Sequence, residues 1–190
     1  MVAAGDLRRG SKILYKGAPY TVLEYGHVKP GKGGAYARIK MKNLVSGLVH
    51  EETWRAEEKL ETPDLEFREM VYLYEHDNLY EFMDQDNSDM VAFDKDQVSD
   101  VLDFLKEQTM YNVLYFNGKP IAVNPPLTLD LEVKDTPPGV KGDTAQGGAT
   151  KPATLETGLT LQVPLFVNEG DFVRVDTRES KYIERVGKKK

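Results

Sequence analysis

The sequence predicts an all-β protein made of three small β-barrel domains. Short runs of alternating polar and apolar residues recur along its 190 residues, separated by turn signals that contain Gly or Pro. Long helical periodicity is scarce, and this pattern is typical of small barrels and sandwiches. A unit of about 60 residues buries little surface and is marginally stable alone. We therefore expect the three units to pack against one another, at least pairwise.

The first domain is predicted over residues 1–64. Four strands are expected, at Ser11–Lys16, Pro19–Gly26, Ala35–Lys42 and Gly47–Trp54. In the third of these, Ala37, Ile39 and Met41 alternate with basic and aromatic residues, which predicts a half-buried strand with a cationic outer face. A cluster of Pro and Gly precedes this strand, so residues 28–35 are expected to form a hairpin loop, here called the tip loop.

The second domain is predicted over residues 65–127. Four strands are expected, at Phe67–Tyr74, Leu79–Met83, Tyr111–Phe116 and Lys119–Val123. The dipeptide Asn117-Gly118 between the last two is a strong signal for a two-residue hairpin turn. One short helix is expected at Asp94–Gln108, because apolar residues recur there at helical spacing. These residues are Val98, Val101, Leu102 and Leu105.

The third domain is predicted over residues 128–190. Its strands are expected at Leu127–Val133, Leu159–Val167, Asp171–Asp176 and Lys181–Val186. Apolar residues alternate with polar ones in the first of these strands, which predicts one buried face. A long polar loop, Thr136–Lys151, separates the first two strands.

The charges are segregated along the chain. The formal net charge is −6, yet residues 26–50 carry five basic side chains and no acid. Residues 51–108 carry 19 acids and five bases, whereas residues 174–190 carry seven bases and three acids. A protein that coats nucleic acid would be basic overall, so this distribution indicates contact with RNA at defined places. Ordinary solvated faces explain the same charges equally well when the charges are taken alone.

The composition excludes several kinds of catalytic and metal site. There is no Cys, and the three His residues lie far apart in sequence, so we expect no disulfide and no metal site. The phosphate-binding GxxxxGK[ST], the GxSxG and the HExxH motifs are all missing, and we expect that the protein is not an enzyme. No apolar run is long enough to span a membrane and no signal peptide is visible, so a cytoplasmic location without membrane contact is expected.

The tip loop is the most informative local feature. Pro30 restricts the chain that enters it, and its glycines permit tight turns; these are Gly31, Gly33 and Gly34. Lys32 is therefore expected near the apex of a hairpin, where one long cation can enter a narrow crevice lined by phosphates. From the spacing alone, a turn with a merely solvated lysine is the commoner interpretation.

Two segments resemble the bacterial elongation factor P family. Residues 28–38, VKPGKGGAYAR, are similar to that family's lysine-bearing loop. Residues 151–170 match its signature K-x-A-x4-G-x2-[LIV]-x-V-P-x2-[LIV]-x2-G at every fixed position. Residues 135–145 and 176–186 are also similar to the family, so the resemblance spans essentially the whole chain.

The resemblance implies a fold and a function. It implies an N-terminal KOW/SH3-like domain and two OB-like domains, arranged as an elongated L comparable to tRNA. It further implies a monomer that binds the 70S ribosome between the peptidyl-tRNA and exit sites. There the family stimulates peptide-bond formation and relieves stalling at consecutive prolines, without itself making or breaking a covalent bond.

The resemblance also implies roles for individual residues. Lys32 matches the lysine that reaches the CCA end of peptidyl-tRNA, and in many members a modifying enzyme extends it; no other cofactor is expected. The residues that present it are Lys29, Pro30, Gly31, Gly33 and Gly34. A loop associated with the exit-site codon contains Gly142, Asp143 and Thr144. Tyr182 and Arg185 match residues associated with RNA of the small ribosomal subunit. Gly34 stands where some members have other residues, which leaves the modification open.

Other functions stay open at this point. A KOW/OB module that binds RNA outside the ribosome would need stacked aromatics in a basic groove. The aromatics of the middle segment lie instead among acids, which argues against this alternative; they are Tyr72, Tyr74, Tyr80 and Phe82. A small enzyme with converging carboxylates and a close paralogue with a narrower set of stalling sequences are the further alternatives.

Overall fold

The structure, a computed structural model, describes residues 1–28, 34–139 and 149–188. Within these residues it contains β-strands and two short 3₁₀ helices, which confirms the prediction of an all-β protein. No helix in this part of the chain is long and apolar enough to span a membrane. The chain divides into two compact units, Met1–Phe67 with Leu114–Ala122 and Arg68–Val113 with Val123–Lys190. The three domain boundaries given above stay a prediction.

The N-terminal barrel lies in the first unit. Its strands are β1 (Val2–Ala3), β2 (Lys12–Tyr15), β3 (Ala18–Val28), β4 (Tyr36–Asn43), β5 (Val49–Arg55) and β6 (Lys59–Leu60), with a 3₁₀ helix at Ala4–Asp6 after β1. Strands β2 to β5 form an antiparallel sheet in sequence order, and β1 pairs with β6. The predicted alternation in β4 is confirmed, because Ala37, Ile39 and Met41 are fully buried. The buried cluster beneath this sheet is drawn from residues 4–60.

The middle segment forms a five-stranded sheet. Its strands are β7 (Leu65–His76), β8 (Leu79–Asp84), β9 (Met90–Asp94), β10 (Thr109–Phe116) and β11 (Lys119–Asn124), in the order β11-β10-β7-β8-β9. Asn117 and Gly118 both have positive φ, 49° and 74°, so the predicted hairpin turn is confirmed. Phe82 lies at the centre of its aromatic core, with ring centroids of Phe93 and Tyr111 at 5.6 and 5.8 Å. Strand β9 was not predicted from the sequence.

A short helix is present in the middle segment, as predicted, but it is shorter than the predicted range Asp94–Gln108 and of a different type. Strand β9 ends at Asp94, the first residue of this range, and the helix has six residues, Ser99–Phe104, in 3₁₀ conformation. Val98, Val101 and Phe104 are buried at intervals of three residues. This interval is the period of a 3₁₀ helix, whereas the prediction rested on α-helical spacing.

The C-terminal barrel is a second five-stranded sheet. Its strands are β12 (Thr128–Asp135), β13 (Thr150–Leu155), β14 (Thr160–Pro164), β15 (Asp171–Asp176) and β16 (Lys181–Lys188), in the order β14-β13-β12-β15-β16. Strand β13 was not predicted, and Leu127, assigned to the buried face of β12, is 64% exposed and lies outside that strand. Its core contains Leu131, Val163 and Val175, together with Phe104 from the middle segment.

The fixed positions of the C-terminal signature have structural roles in this barrel. They are Lys151, Ala153, Gly158, Leu161, Val163, Pro164, Val167 and Gly170. Apart from the proline, the apolar members are buried, and both glycines have positive φ, 90° and 79°. Lys151 is 5% exposed and donates a hydrogen bond to the Pro137 carbonyl at 2.7 Å. The signature therefore describes the packing of the barrel rather than a contact surface.

Candidate functional site

The tip loop lies between β3 and β4, the two strands of a long hairpin in the N-terminal barrel. Strands β3 and β4 pair from Tyr20 opposite Asn43 to Val28 opposite Tyr36, with one register shift near Val22. The last pair is exposed, Val28 by 50% and Tyr36 by 38%. Five residues assigned to the tip loop lie outside the described residues: Lys29, Pro30, Gly31, Lys32 and Gly33. Gly34 is described, and an added Cβ there would meet no atom within 4 Å.

Hydrogen bonds connect the end of this hairpin that carries the tip loop to the N-terminal 3₁₀ helix. The Ala56 amide donates to the Ala35 carbonyl, and the Gly5 amide donates to the Ala56 carbonyl, both at 2.8 Å. The Tyr25 hydroxyl donates to the Gly5 carbonyl at 2.9 Å. A Cβ on Gly5 would lie 3.0 Å from the Ala56 carbonyl oxygen, so this close approach requires glycine. The sequence predictions missed this helix, because three residues leave no periodic signal.

The outer face of β4 is less cationic than its sequence predicts. The Arg38 guanidinium pairs with the Glu51 carboxylate of β5, and Lys40 Nζ lies 3.1 Å from Glu24 Oε1 of β3. Both acids come from neighbouring strands, so inspection of β4 alone could not find them. Arg8 is different: its guanidinium donates to the Leu7 carbonyl at 2.7 Å and makes no ion pair among the described residues. It also lies over the Tyr25 ring, 5.7 Å from the centroid.

The predicted exit-site loop residues Gly142, Asp143 and Thr144 lie outside the described residues. The chain before them is held on the C-terminal barrel. Thr136 Oγ1 donates to the Pro152 carbonyl at 2.9 Å, beside the Lys151 hydrogen bond described above. A Cβ on Gly139 would lie only 2.6 Å from the Leu165 carbonyl oxygen.

Tyr182 and Arg185 lie on β16 and point to the same side of the sheet. They pair with the buried residues Val175 and Val173 of β15, respectively. Tyr182 packs against the barrel core, and burial raises the pKa of its hydroxyl. Arg185 remains partly exposed and contacts Asp171, with Nη1 at 3.4 Å from Oδ2. The structure therefore brings these two predicted residues together on one edge of the C-terminal barrel.

The aromatics of the middle segment form a core rather than a groove. Tyr72 and Phe82 are buried, with ring centroids 5.2 Å apart, and Tyr80 is half-buried. Tyr74 is 47% exposed. A surface that stacks successive bases of a single strand is thus not provided by this set. Among the described residues, no cluster of three or more His, Asp or Glu could hold a metal ion.

Comparison with known proteins agrees with this architecture. Residues 3–60 match the family model for the elongation factor P KOW-like domain. Residues 65–123 match its OB domain, and residues 129–185 match its C-terminal domain. The chain belongs to the elongation factor P family. This membership makes the protein a translation elongation factor.

Individual relatives of the elongation factor P family match almost the whole chain. Elongation factor P of Caldicellulosiruptor bescii is 49% identical, over 98% of this chain and 100% of that protein. The Natranaerobius thermophilus protein is 48% identical, over 98% of both chains. Among solved structures, translation initiation factor 5A from Methanococcus jannaschii aligns with a TM-score of 0.54 at 21% identity, over 64% of this chain and 94% of that one. This last likeness concerns the fold alone.

Proposed function

We propose that the protein binds the 70S ribosome between the peptidyl-tRNA and exit sites and stimulates peptide-bond formation, above all at consecutive prolines. The observation that carries the proposal is the match to elongation factor P along 98% of the chain. In this proposal the protein acts in the cytoplasm as a monomer and itself makes no covalent bond. A non-ribosomal RNA-binding role receives no support, because Tyr72 and Phe82, two of the four middle aromatics it would need, are buried.

The proposed mechanism is electrostatic positioning by Lys32. Proline reacts poorly because its ring fixes φ and crowds its nitrogen, so the flexible CCA end of peptidyl-tRNA spends much of its time in unproductive positions. An amine at the end of a long stem can hold the phosphate backbone there and raise the fraction of reactive geometries. A gain of about 3–4 kcal/mol would correspond to roughly 10²–10³-fold in rate.

The hairpin that carries the tip loop suits this role. A loop can position a ligand only if its own base is held, and β3 and β4 pair as far as Val28 and Tyr36. The hydrogen bonds through Ala56 and Gly5 fix the chain at Ala35, the last residue of the loop. We propose that Lys29, Pro30, Gly31, Gly33 and Gly34 present Lys32 from this base.

An aminoacyl group on Lys32 would lengthen its reach toward the tRNA. We propose that a lysine-modifying enzyme adds such a group in the native host. The intact mass of protein purified from that host would reveal the modification.

The remaining contacts follow from charge and from family resemblance. Gly142, Asp143 and Thr144 are proposed to approach the exit-site codon, and Tyr182 with Arg185 to contact RNA of the small subunit. Residues 51–108 carry a net charge of −14, so they should be repelled by RNA and face solvent or a basic ribosomal protein.

The test replaces the proposed working lysine. We expect Lys32→Ala to fold like the parent protein and to lose rescue of a reporter that encodes consecutive prolines. Lys119→Ala, which removes an exposed lysine after the Asn117-Gly118 turn, is the control and should rescue normally. Normal rescue by Lys32→Ala would contradict the proposal.

A further inference from the structure

We infer that Phe166 and Asp171 position the Arg185 guanidinium for contact with an RNA phosphate. Phe166 is the new element, a positioning residue on the loop between β14 and β15. The inference rests on the proposed role of Arg185 in binding ribosomal RNA, and it adds to that role the groups that orient the side chain.

Two groups hold the guanidinium from different directions. Arg185 Cζ lies over the Phe166 ring, 5.3 Å from its centroid. Arg185 Nη1 lies 3.4 Å from Asp171 Oδ2, and the Asp171 side chain is only 2% exposed. A planar cation that lies over a ring and contacts a carboxylate has few orientations left.

The exposure of Phe166 has no explanation in the packing of the barrel. Its side chain is 56% exposed, although its neighbour Val167 is fully buried. An exposed phenylalanine adds little to a core, so its contact with Arg185 is the interaction that the structure offers for it.

The loop that carries Phe166 is held by its own hydrogen bonds. Asn168 donates two hydrogen bonds. Its backbone N–H donates to Asp171 Oδ2 at 2.9 Å, and its side-chain Nδ2 donates to the Phe166 carbonyl at 3.0 Å. The Gly170 amide donates to the Val133 carbonyl of β12 at 2.9 Å. The ring and the carboxylate thus belong to one rigid segment, which reduces the conformational entropy that Arg185 would lose on binding.

Arg185 keeps more free N–H donors than a neighbouring arginine, Arg174. Arg174 on β15 makes two hydrogen bonds to Asp130, at 2.8 and 2.9 Å, and a third to Glu184 at 2.9 Å. Arg185 has five N–H donors, and Asp171 is the one acceptor that the described residues provide for them. The free donors, fixed in a plane, match the oxygens of a phosphate.

The experiment measures the affinity of full-length variants for 70S ribosomes that carry peptidyl-tRNA, at two salt concentrations, beside thermal unfolding. Cation–π contacts at exposed sites are weak, so we expect Phe166→Leu to bind about two- to five-fold more weakly with an unchanged melting temperature. Phe166→Tyr retains the ring and should bind like the parent. Phe67→Leu removes a comparably exposed phenylalanine, 58%, and is the matched control.

The outcomes separate this inference from the proposed function. Arg185→Ala should bind more weakly and with a shallower salt dependence, because it removes a phosphate contact. Parent-like binding by Arg185→Ala would show that the RNA contact itself is wrong. Weak binding by Arg185→Ala beside parent-like binding by Phe166→Leu would overturn the positioning role alone. Equal losses for Phe166→Leu and Phe166→Tyr would also overturn it, since the ring face would then be irrelevant.

Discussion

The N-terminal and C-terminal barrels complete their cores in different ways. The buried cluster of the N-terminal barrel is drawn from residues 4–60, which is its own sequence. The cluster of the C-terminal barrel includes Phe104, which is 7% exposed and comes from the 3₁₀ helix of the middle segment. Among the described residues, only the buried cluster of the C-terminal barrel contains a side chain from a preceding segment of the chain.

Polar contacts reinforce the shared core. Lys106 Nζ donates to the Asp130 carbonyl at 2.7 Å and lies 3.0 Å from Glu156 Oε1. Thr157 Oγ1 donates to the Asp103 carbonyl at 2.7 Å. A barrel of about 60 residues is only marginally stable alone. Within the second unit, the C-terminal barrel gains buried surface from its neighbour, and the two should therefore unfold together.

The largest expected effect comes from removing the shared side chain. Phe104→Ala should lower the free energy of unfolding of the second unit by about 3–5 kcal/mol, because it empties a buried site. Trp54 is the only tryptophan and lies in the first unit, so its fluorescence reports that unit, whereas far-ultraviolet circular dichroism reports both. In urea, Phe104→Ala should shift the dichroism transition and leave the fluorescence transition in place.

The matched control truncates the other core. Ile39→Ala should shift the fluorescence transition, at a cost of about 2–5 kcal/mol. Coincident shifts of both signals in either variant would contradict the comparison, because they would show that both units unfold as one.

A smaller effect is expected from the hydroxyl that holds the segment after the 3₁₀ helix. The Tyr111 hydroxyl donates to the Phe104 carbonyl at 2.7 Å and accepts from the Lys106 amide at 2.8 Å. Removing it in Tyr111→Phe leaves both backbone groups without this partner, which should cost about 1–3 kcal/mol at neutral pH. Urea unfolding followed by dichroism measures the loss, and an unchanged midpoint would show that the hydroxyl does not stabilise the segment.

The same tyrosine predicts a loss of stability in alkali. Burial raises the pKa of Tyr111 to about 12, whereas an unfolded tyrosine titrates near 10. The contribution of this shifted pKa to the free energy of unfolding is therefore complete below about pH 10. It is lost as the pH rises toward 12, because the tyrosine of the unfolded state releases its proton first. Burial also raises the pKa of Tyr72 to about 12, so the alkaline loss should shrink in Tyr111→Phe and shrink further when Tyr72 is replaced as well. Equal pH dependence in the parent and the double variant would contradict this account.

The smallest effect is expected on the surface of the N-terminal barrel. Arg38 and Glu51 form an exposed ion pair, with side chains 67% and 45% accessible. Exposed pairs contribute little, so Glu51→Gln should change the free energy of unfolding by less than about 1 kcal/mol. A larger loss of unfolding free energy, measured in urea, would mean that this pair stabilises the sheet despite its exposure.

Much of the fold was predictable because its signals are local. Alternation identified β4 and most other strands, and the dipeptide at residues 117–118 located a hairpin within one residue. Strands β1, β6, β9 and β13 were missed. The first two have only two residues each, β9 is a short edge strand, and β13 follows a polar, Gly-rich stretch. The 3₁₀ helix was misread because its buried residues repeat every three positions, an interval that α-helices also contain.

The candidate site was less predictable than the fold, because only some of its residues carry a sequence signal. A family resemblance pointed to Lys32, Tyr182 and Arg185, and the last two lie on one edge of the C-terminal barrel. No sequence signal pointed to Phe166 and Asp171 as partners of Arg185, because they lie more than ten residues away along the chain and meet it only across the sheet.

The sequence alone determined most of the strands and turns, the buried face of β4 and the membership of the chain in its family. These properties depend on neighbouring residues and on a signature that describes how one barrel packs. Tertiary structure alone decided which acids neutralise Arg38 and Lys40, which barrel contains Phe104, and how Arg185 is held. Each of these depends on contacts between residues distant in the chain, and such contacts exist only after the strands have paired and the sheets have closed.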